Sequence, residues 1–305
     1  MVNWLASNRR LFLRILGTVL AVGLIFLLMR EEGWGDVVGA LHQISWQRLA
    51  WAIGLVLLSR IFVASRWYVL LRSGGVPMPV GDAVGLTFTG LFSNNFLPTT
   101  IGGDVVRLAG AMRLGYDRAV CLASIAADRL IGMLGMLFTL PLGLLPTLEA
   151  IGQGATQSLA LGALFSRGLG FARRTLQTFS IWLAKPLALL AALGCTWGHM
   201  LCTFFTMYIL IEALGGHVGF WLIAGLWSLS YFVTLVPISI NGYGVQELSL
   251  TFLFSTVAGL TTATSLTLAL LIRALYVGVS LVGAFYMPGI LASVERRQPS
   301  EQPMD

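Results

Sequence analysis

Between Asn94 and Arg107 the chain reads NNFLPTTIGGDVVR, set inside a long apolar region. Two amides, a proline, a Gly-Gly pair, a carboxylate and a guanidinium do not suit a continuous membrane helix. Proline removes a backbone donor and adjacent glycines loosen the chain, so a helix breaks here. In lipid, a broken backbone persists only where protein or a watery cavity satisfies its polar groups. The stretch is therefore expected to form a buried, non-helical elbow facing a solute.

A second elbow starts at Pro237 with PISINGYGVQE. Counted from Pro98 and Pro237, an isoleucine follows at the third position, a glycine at the fifth (Gly103, Gly242) and a valine at the eighth. A polar residue follows at the ninth, Arg107 in one copy and Gln246 in the other. Gly102 and Gly244 add further freedom to the two turns. Each elbow precedes an apolar helix that carries an arginine, Arg129 and Arg273. Paired interruptions in two halves point to a transporter's binding site.

The remaining chain fits a polytopic helical membrane protein. It is 57% hydrophobic and 10% charged, with a mean hydropathy of +0.84; soluble domains carry about 25% charged residues. The net charge of +6, from 19 basic and 13 acidic residues, fits cytoplasmic flanks rather than nucleic-acid binding. Cys121, Cys195 and Cys202 lie in apolar stretches and form no ligand cluster with His42, His199 or His217, which predicts packing roles and no metal site.

Spans are expected over 11–29, 49–71, 119–145, 186–214 and 262–288, with 84–97 and 218–236 leading into the elbows. The fold class is all-α, with about six transmembrane helices plus two re-entrant broken-helix hairpins in an inverted repeat. A crossing near 149–168 would invert the second half and place Arg173-Arg174 in the cytoplasm with both termini; an interfacial amphipathic helix is the alternative. The expected organisation is one membrane domain over 1–295, with halves of about 10–148 and 149–290, and a polar tail over 296–305.

Several charges fall at depth. Arg60 is central in its span and is expected to face the interior and an anion, with an ion pair to Asp104 or Glu247 as the alternative. Arg66 lies near a span end and can snorkel. Asp104 and Arg107 are i,i+3 neighbours, and Asp104 also suits the first turn of a helix. Asp128 and Arg129 are adjacent, so they point in different directions.

The NNFLP…GGD-V-R elbow, its downstream helix with a central arginine, Ser65-Arg66-Trp67 and the late P-x-S-x-x-G-x-G-V-x-E motif resemble the lysylphosphatidylglycerol synthase transmembrane-region family. That family includes stand-alone members described as dolichol-phosphate-glucose synthase-like or hopanoid-associated. The resemblance implies that Asn94, Asn95, Pro98, Gly102, Gly103, Asp104 and Arg107 form the first motif. It implies the second at Pro237, Ser239, Gly242, Gly244 and Glu247. The chain departs from the pattern at Asn241, where a glycine is usual, and at Gln246, where an arginine is usual. No soluble aminoacyl-transferase domain like that of the synthases is expected within these 305 residues, so the resemblance implies handling of lipid rather than its aminoacylation.

Three functional classes follow. The first is a lipid translocase, or flippase, for an amphiphile with an anionic or polar head: a phospholipid, a polyprenyl phosphate or a hopanoid-type lipid. Arg60, Asn94, Asn95, Asp104, Arg107, Arg129, Asn241, Glu247 and Arg273 are its candidate binding residues, because guanidinium groups and broken-helix donors suit a phosphate. The second is a non-transporting membrane partner of lipid-biosynthesis enzymes. The third is a glycosyltransferase using a lipid-linked sugar, which the missing DxD pair disfavours. No cofactor and no nucleic-acid partner are expected, and a bacterial inner membrane is the expected location.

Overall fold

The computed structural model describes residues 44–97, 102–152, 185–236 and 239–286, together with 19–20, 23–27, 30 and 39. Of the expected first helix, 19–20 and 23–27 are described and are helical. The rest of that helix, most of the expected 149–168 crossing, Arg173-Arg174, the tail, Pro98 and Pro237 lie outside the described residues.

The main elements are α1 (Trp46–Ser73), α2 (Val80–Asn94), α3 (Gly102–Arg113), α4 (Arg118–Ile151), α5 (Pro186–Ala213), α6 (Phe220–Thr234), α7 (Val245–Thr256) and α8 (Thr262–Ser280), with a 3₁₀ turn at Ile240–Gly242. Local chemistry sets many ends. Ser45, Asp117 and Thr261 cap α1, α4 and α8 by accepting from Arg48, Val120 and Thr264 backbone N–H groups. Pro186 opens α5, where a missing N–H costs nothing.

Among the described residues, four helices are long and apolar enough to cross a membrane: Trp46–Ser73, Arg118–Ile151, Pro186–Ala213 and Thr262–Tyr286. Only 22–39% of each apolar window is buried, so most of its surface faces outward, as lipid contact requires. The 15-residue helices α2 and α6 are about 22 Å long, short of the roughly 30 Å of bilayer hydrocarbon.

Helix lengths repeat. α1 and α5 have 28 residues each, α2 and α6 have 15, and α3 and α7 have 12. Neighbour relations repeat too. α2 packs on α3 as α6 does on α7, α3 on α4 as α7 on α8, and α1 on α4 as α5 on α8. Between halves, α4 packs on α6 as α8 on α2, and α4 on α5 as α8 on α1. α1 and α5 form the most extensive helix pair. There the Ser59 hydroxyl and His199 Nδ1 lie 2.7 Å apart, each on the fourteenth residue of its helix. Helix lengths and neighbour relations thus recur in matching order along the described chain.

Matched by helix order and length, the two elbows take a different register from the one their prolines suggest. Counting from the prolines pairs Arg107 with Gln246. In the fold, Asp104 and Glu247 are the third residues of α3 and α7, and Arg129 and Arg273 the twelfth of α4 and α8. The shift arises because the second connection is longer, ten residues against seven, and holds the 3₁₀ turn.

Candidate functional site

The two elbows meet. The Tyr243 hydroxyl donates to Asn95 Oδ1 at 3.4 Å, and Asn95 Nδ2 donates to Ser280 Oγ at 2.7 Å. Asn94 closes the first elbow: its Oδ1 accepts from Gly103 N at 2.6 Å, at the open N-terminus of α3. Gly103 in turn lies against the Gly90 backbone and the Asn94 side chain, where a Cβ has no room.

Between the elbows is a cavity of about 350 Å³. Arg60, Asn94, Asn95, Asp104, Arg129, Asn241 and Arg273 line it, and so do Arg66, His199 and Gln246. Seven of the nine residues proposed from sequence thus share one cavity. Arg107 and Glu247 do not line it; both are buried behind its wall.

An ion-pair network joining α1, α3 and α4 runs from that wall, at Arg66, Asp104 and Arg129, to Arg107 and Asp128 behind it. Arg66 Nε donates to Asp128 Oδ1 at 2.7 Å, and Arg66 Nη1 to Thr196 Oγ1 at 3.2 Å. Arg107 Nη1 bridges Asp128 Oδ2 and Asp104 Oδ1, both at 3.2 Å. Arg129 Nε donates to Asp104 Oδ2. The Arg107 guanidinium also lies over the Trp67 ring, 4.1 Å from its centroid. Cation–π contact stabilises a desolvated guanidinium.

The second half keeps the outer pair and loses the rest. Arg273 Nε donates to Glu247 Oε1, and Arg273 Nη2 to Gln246 Oε1 at 3.0 Å and the Gly242 carbonyl at 3.3 Å. Glu247 Oε2 accepts from Gly244 N at 2.8 Å and so closes the start of α7. The positions equivalent to Arg66, Arg107 and Asp128 hold Thr206, Leu250 and Ile272.

One expectation about α1 changes, and one alternative falls away. Arg66 does not snorkel: it is 7% exposed and held by Asp128. Arg60 pairs with neither Asp104 nor Glu247. It lies 4.1 Å above the Tyr276 ring centroid, and it has no carboxylate partner among the described residues. His199 gave no sequence signal as a lone histidine; its match to Ser59 emerges only when α1 and α5 are aligned by length.

A family model, Lysylphosphatidylglycerol synthase TM region, matches residues 14–171 and 159–283. The chain belongs to this family. A comparison with curated proteins found no match.

Membership gives meaning to the two departures in the second elbow. Asn241 has φ 49°, ψ 25°, and among the described residues it is the one non-glycine with positive φ. Glycine adopts that conformation freely, and asparagine is the side chain that tolerates it best. The substitution therefore preserves the turn and adds an amide to the cavity wall. Asn241→Gly is expected to leave stability nearly unchanged, whereas Asn241→Val should cost about 1–2 kcal/mol. Thermal unfolding in detergent checks both. Gln246, in place of the usual arginine, accepts a hydrogen bond from Arg273, so it orients a cation instead of supplying one.

Proposed function

We propose that this membrane protein of the lysylphosphatidylglycerol synthase transmembrane-region family is a lipid translocase. It moves an amphiphile with an anionic or polar head between the leaflets of the bacterial inner membrane. The observation that carries this reading is the cavity where the two elbows meet. It is lined by Arg60, Arg66, Arg129 and Arg273 and amid the membrane-length helices. A buried cation with no carboxylate recruits an anion, and lipid phosphate is the anion most abundant at that depth.

On this reading α2–α3 and α6–α7 are re-entrant hairpins entering from opposite faces, in an inverted repeat with both termini cytoplasmic. Their shortness and the matched neighbour relations support that arrangement. Arg107 and Glu247 hold the lining arginines in place rather than touch lipid. The paired state of Asp104, Asp128 and Glu247 favours translocation over glycosyl transfer, because each carboxylate is already engaged by a guanidinium. Enzymes of lipid biosynthesis are the natural neighbours of such an activity.

Proteoliposomes with a fluorescent anionic phospholipid test the proposal. Wild-type protein is expected to move the label across the bilayer faster than empty vesicles do. Arg129→Lys and Arg273→Lys should insert and fold but lose that movement, since Lys lacks the planar fork. Wild-type rates in both variants would refute arginine-dependent head-group binding.

A further inference from the structure

Five arginines and three carboxylates converge on the elbows. The Arg66–Asp128–Arg107–Asp104–Arg129 network has three cations and two anions. The Arg273–Glu247 pair is balanced, and Arg60 stands over Tyr276. The fixed side-chain charges of this described cluster therefore leave an excess of two positive charges. The undescribed elbow residues, 98–101 and 237–238, carry none. Aromatic faces at Trp67, Tyr243 and Tyr276 soften the field of three of the guanidinium groups but cancel no charge.

An excess charge inside an apolar bundle is costly until an occupant neutralises it. A zwitterionic head leaves the excess in place and sets its ammonium among guanidinium groups. A phosphodiester removes one charge. A phosphomonoester carries about −1.5 to −2 near neutral pH, and surrounding cations favour its dianion. We infer that the cavity between the elbows is matched to an amphiphile whose head is a phosphomonoester without an amine. The cavity size agrees: about 350 Å³ is near the lower end of ligand pockets, at about 300–1,000 Å³. That volume suits a compact head, leaving the hydrocarbon tail outside. The inference rests on the translocase reading for its lipid, but its charge argument concerns binding alone.

Titration of the full-length protein in detergent with short-chain probes tests it. The probes are dihexanoyl phosphatidic acid, dihexanoyl phosphatidylglycerol, dihexanoyl phosphatidylethanolamine and inorganic phosphate. Phosphatidic acid is expected to bind about tenfold or more tightly than phosphatidylglycerol, and phosphatidylethanolamine more weakly than either. Inorganic phosphate should compete only at much higher concentration. Arg60→Gln should bring the first two affinities together, and Arg60→Lys should keep them apart. Phosphatidylethanolamine binding as tightly as phosphatidic acid would overturn the inference. So would inorganic phosphate binding as tightly, which would mark the cavity as a site for the free anion. The wild-type ranking decides the charge argument by itself if Arg60→Gln does not fold. The expected ranking without movement in proteoliposomes would sink the translocase reading and spare the binding inference. Movement with no preference among the heads would do the opposite.

Discussion

Asp128→Asn is expected to be the most damaging single substitution in the chain, costing about 3–5 kcal/mol of stability. Asp128 is 2% exposed and is the carboxylate that both Arg66 and Arg107 use. Asparagine keeps one acceptor and turns an N–H₂ toward a guanidinium. Arg66 then loses its ion pair, and Arg107 keeps Asp104, at 3.2 Å, as its one carboxylate partner among the described residues. Breaking a buried pair costs more than the pair contributes, because the remaining charge stays desolvated. Unfolding in mixed detergent measures the loss. Combining Asp128→Asn with Arg66→Met should recover a large part of it, since the orphaned cation is gone. A loss below about 1 kcal/mol would mean that the network behaves as a solvated surface pair.

The second large effect is expected where α4 crosses α6. A Cβ on Gly143 would lie 2.6 Å from the Leu226 backbone nitrogen, and one on Gly225 2.7 Å from the Gly143 Cα. Backbone cannot rotate away as a side chain can. Gly143→Val must therefore push the helices apart and strain the Thr139–Ser228 contact, in which the two hydroxyl oxygens are 2.6 Å apart. The expected cost is about 3 kcal/mol, at the upper end of overpacking. Gly278→Ala is the control. Nothing lies within 4 Å of a Cβ there, and alanine is the better helix former, so thermal stability should hold or rise. Equal melting temperatures for Gly143→Val and Gly278→Ala would show that α4 and α6 do not pack this closely.

Much of this architecture is legible in the sequence. Proline, glycine pairs and amides inside an apolar run marked both elbows, and hydropathy placed α1, α4, α5 and α8 near their observed bounds. Arg129 and Arg273 announced themselves as charges at corresponding depths. The rest depended on tertiary partners that no local pattern encodes. Arg66 reads as an interfacial residue until Asp128 is found opposite it. Arg107 and Glu247 carry the same chemistry as the lining residues and differ only in which side of the wall they occupy. The register of the repeat was misread because identical Pro-x-x-Ile-x-Gly spacing hid the longer second connection. The polar groups set the elbows, but helix length and ion pairing set the alignment.

The hydrogen bond between Ser59 and His199 joins the same step of two equally long helices. A twofold between the two sets of helices would map that point onto itself. If the halves trade shapes, as two faces of a seesaw do, this contact is the fulcrum and need not change. Only the outer pairs, Arg129–Asp104 and Arg273–Glu247, have counterparts that could trade places, because Arg66, Arg107 and Asp128 have none. In the present conformation the Arg129 side chain is 31% exposed and that of Arg273 is 17% exposed. The difference follows from their partners: Gln246 and the Gly242 carbonyl cover the Arg273 guanidinium beside its carboxylate.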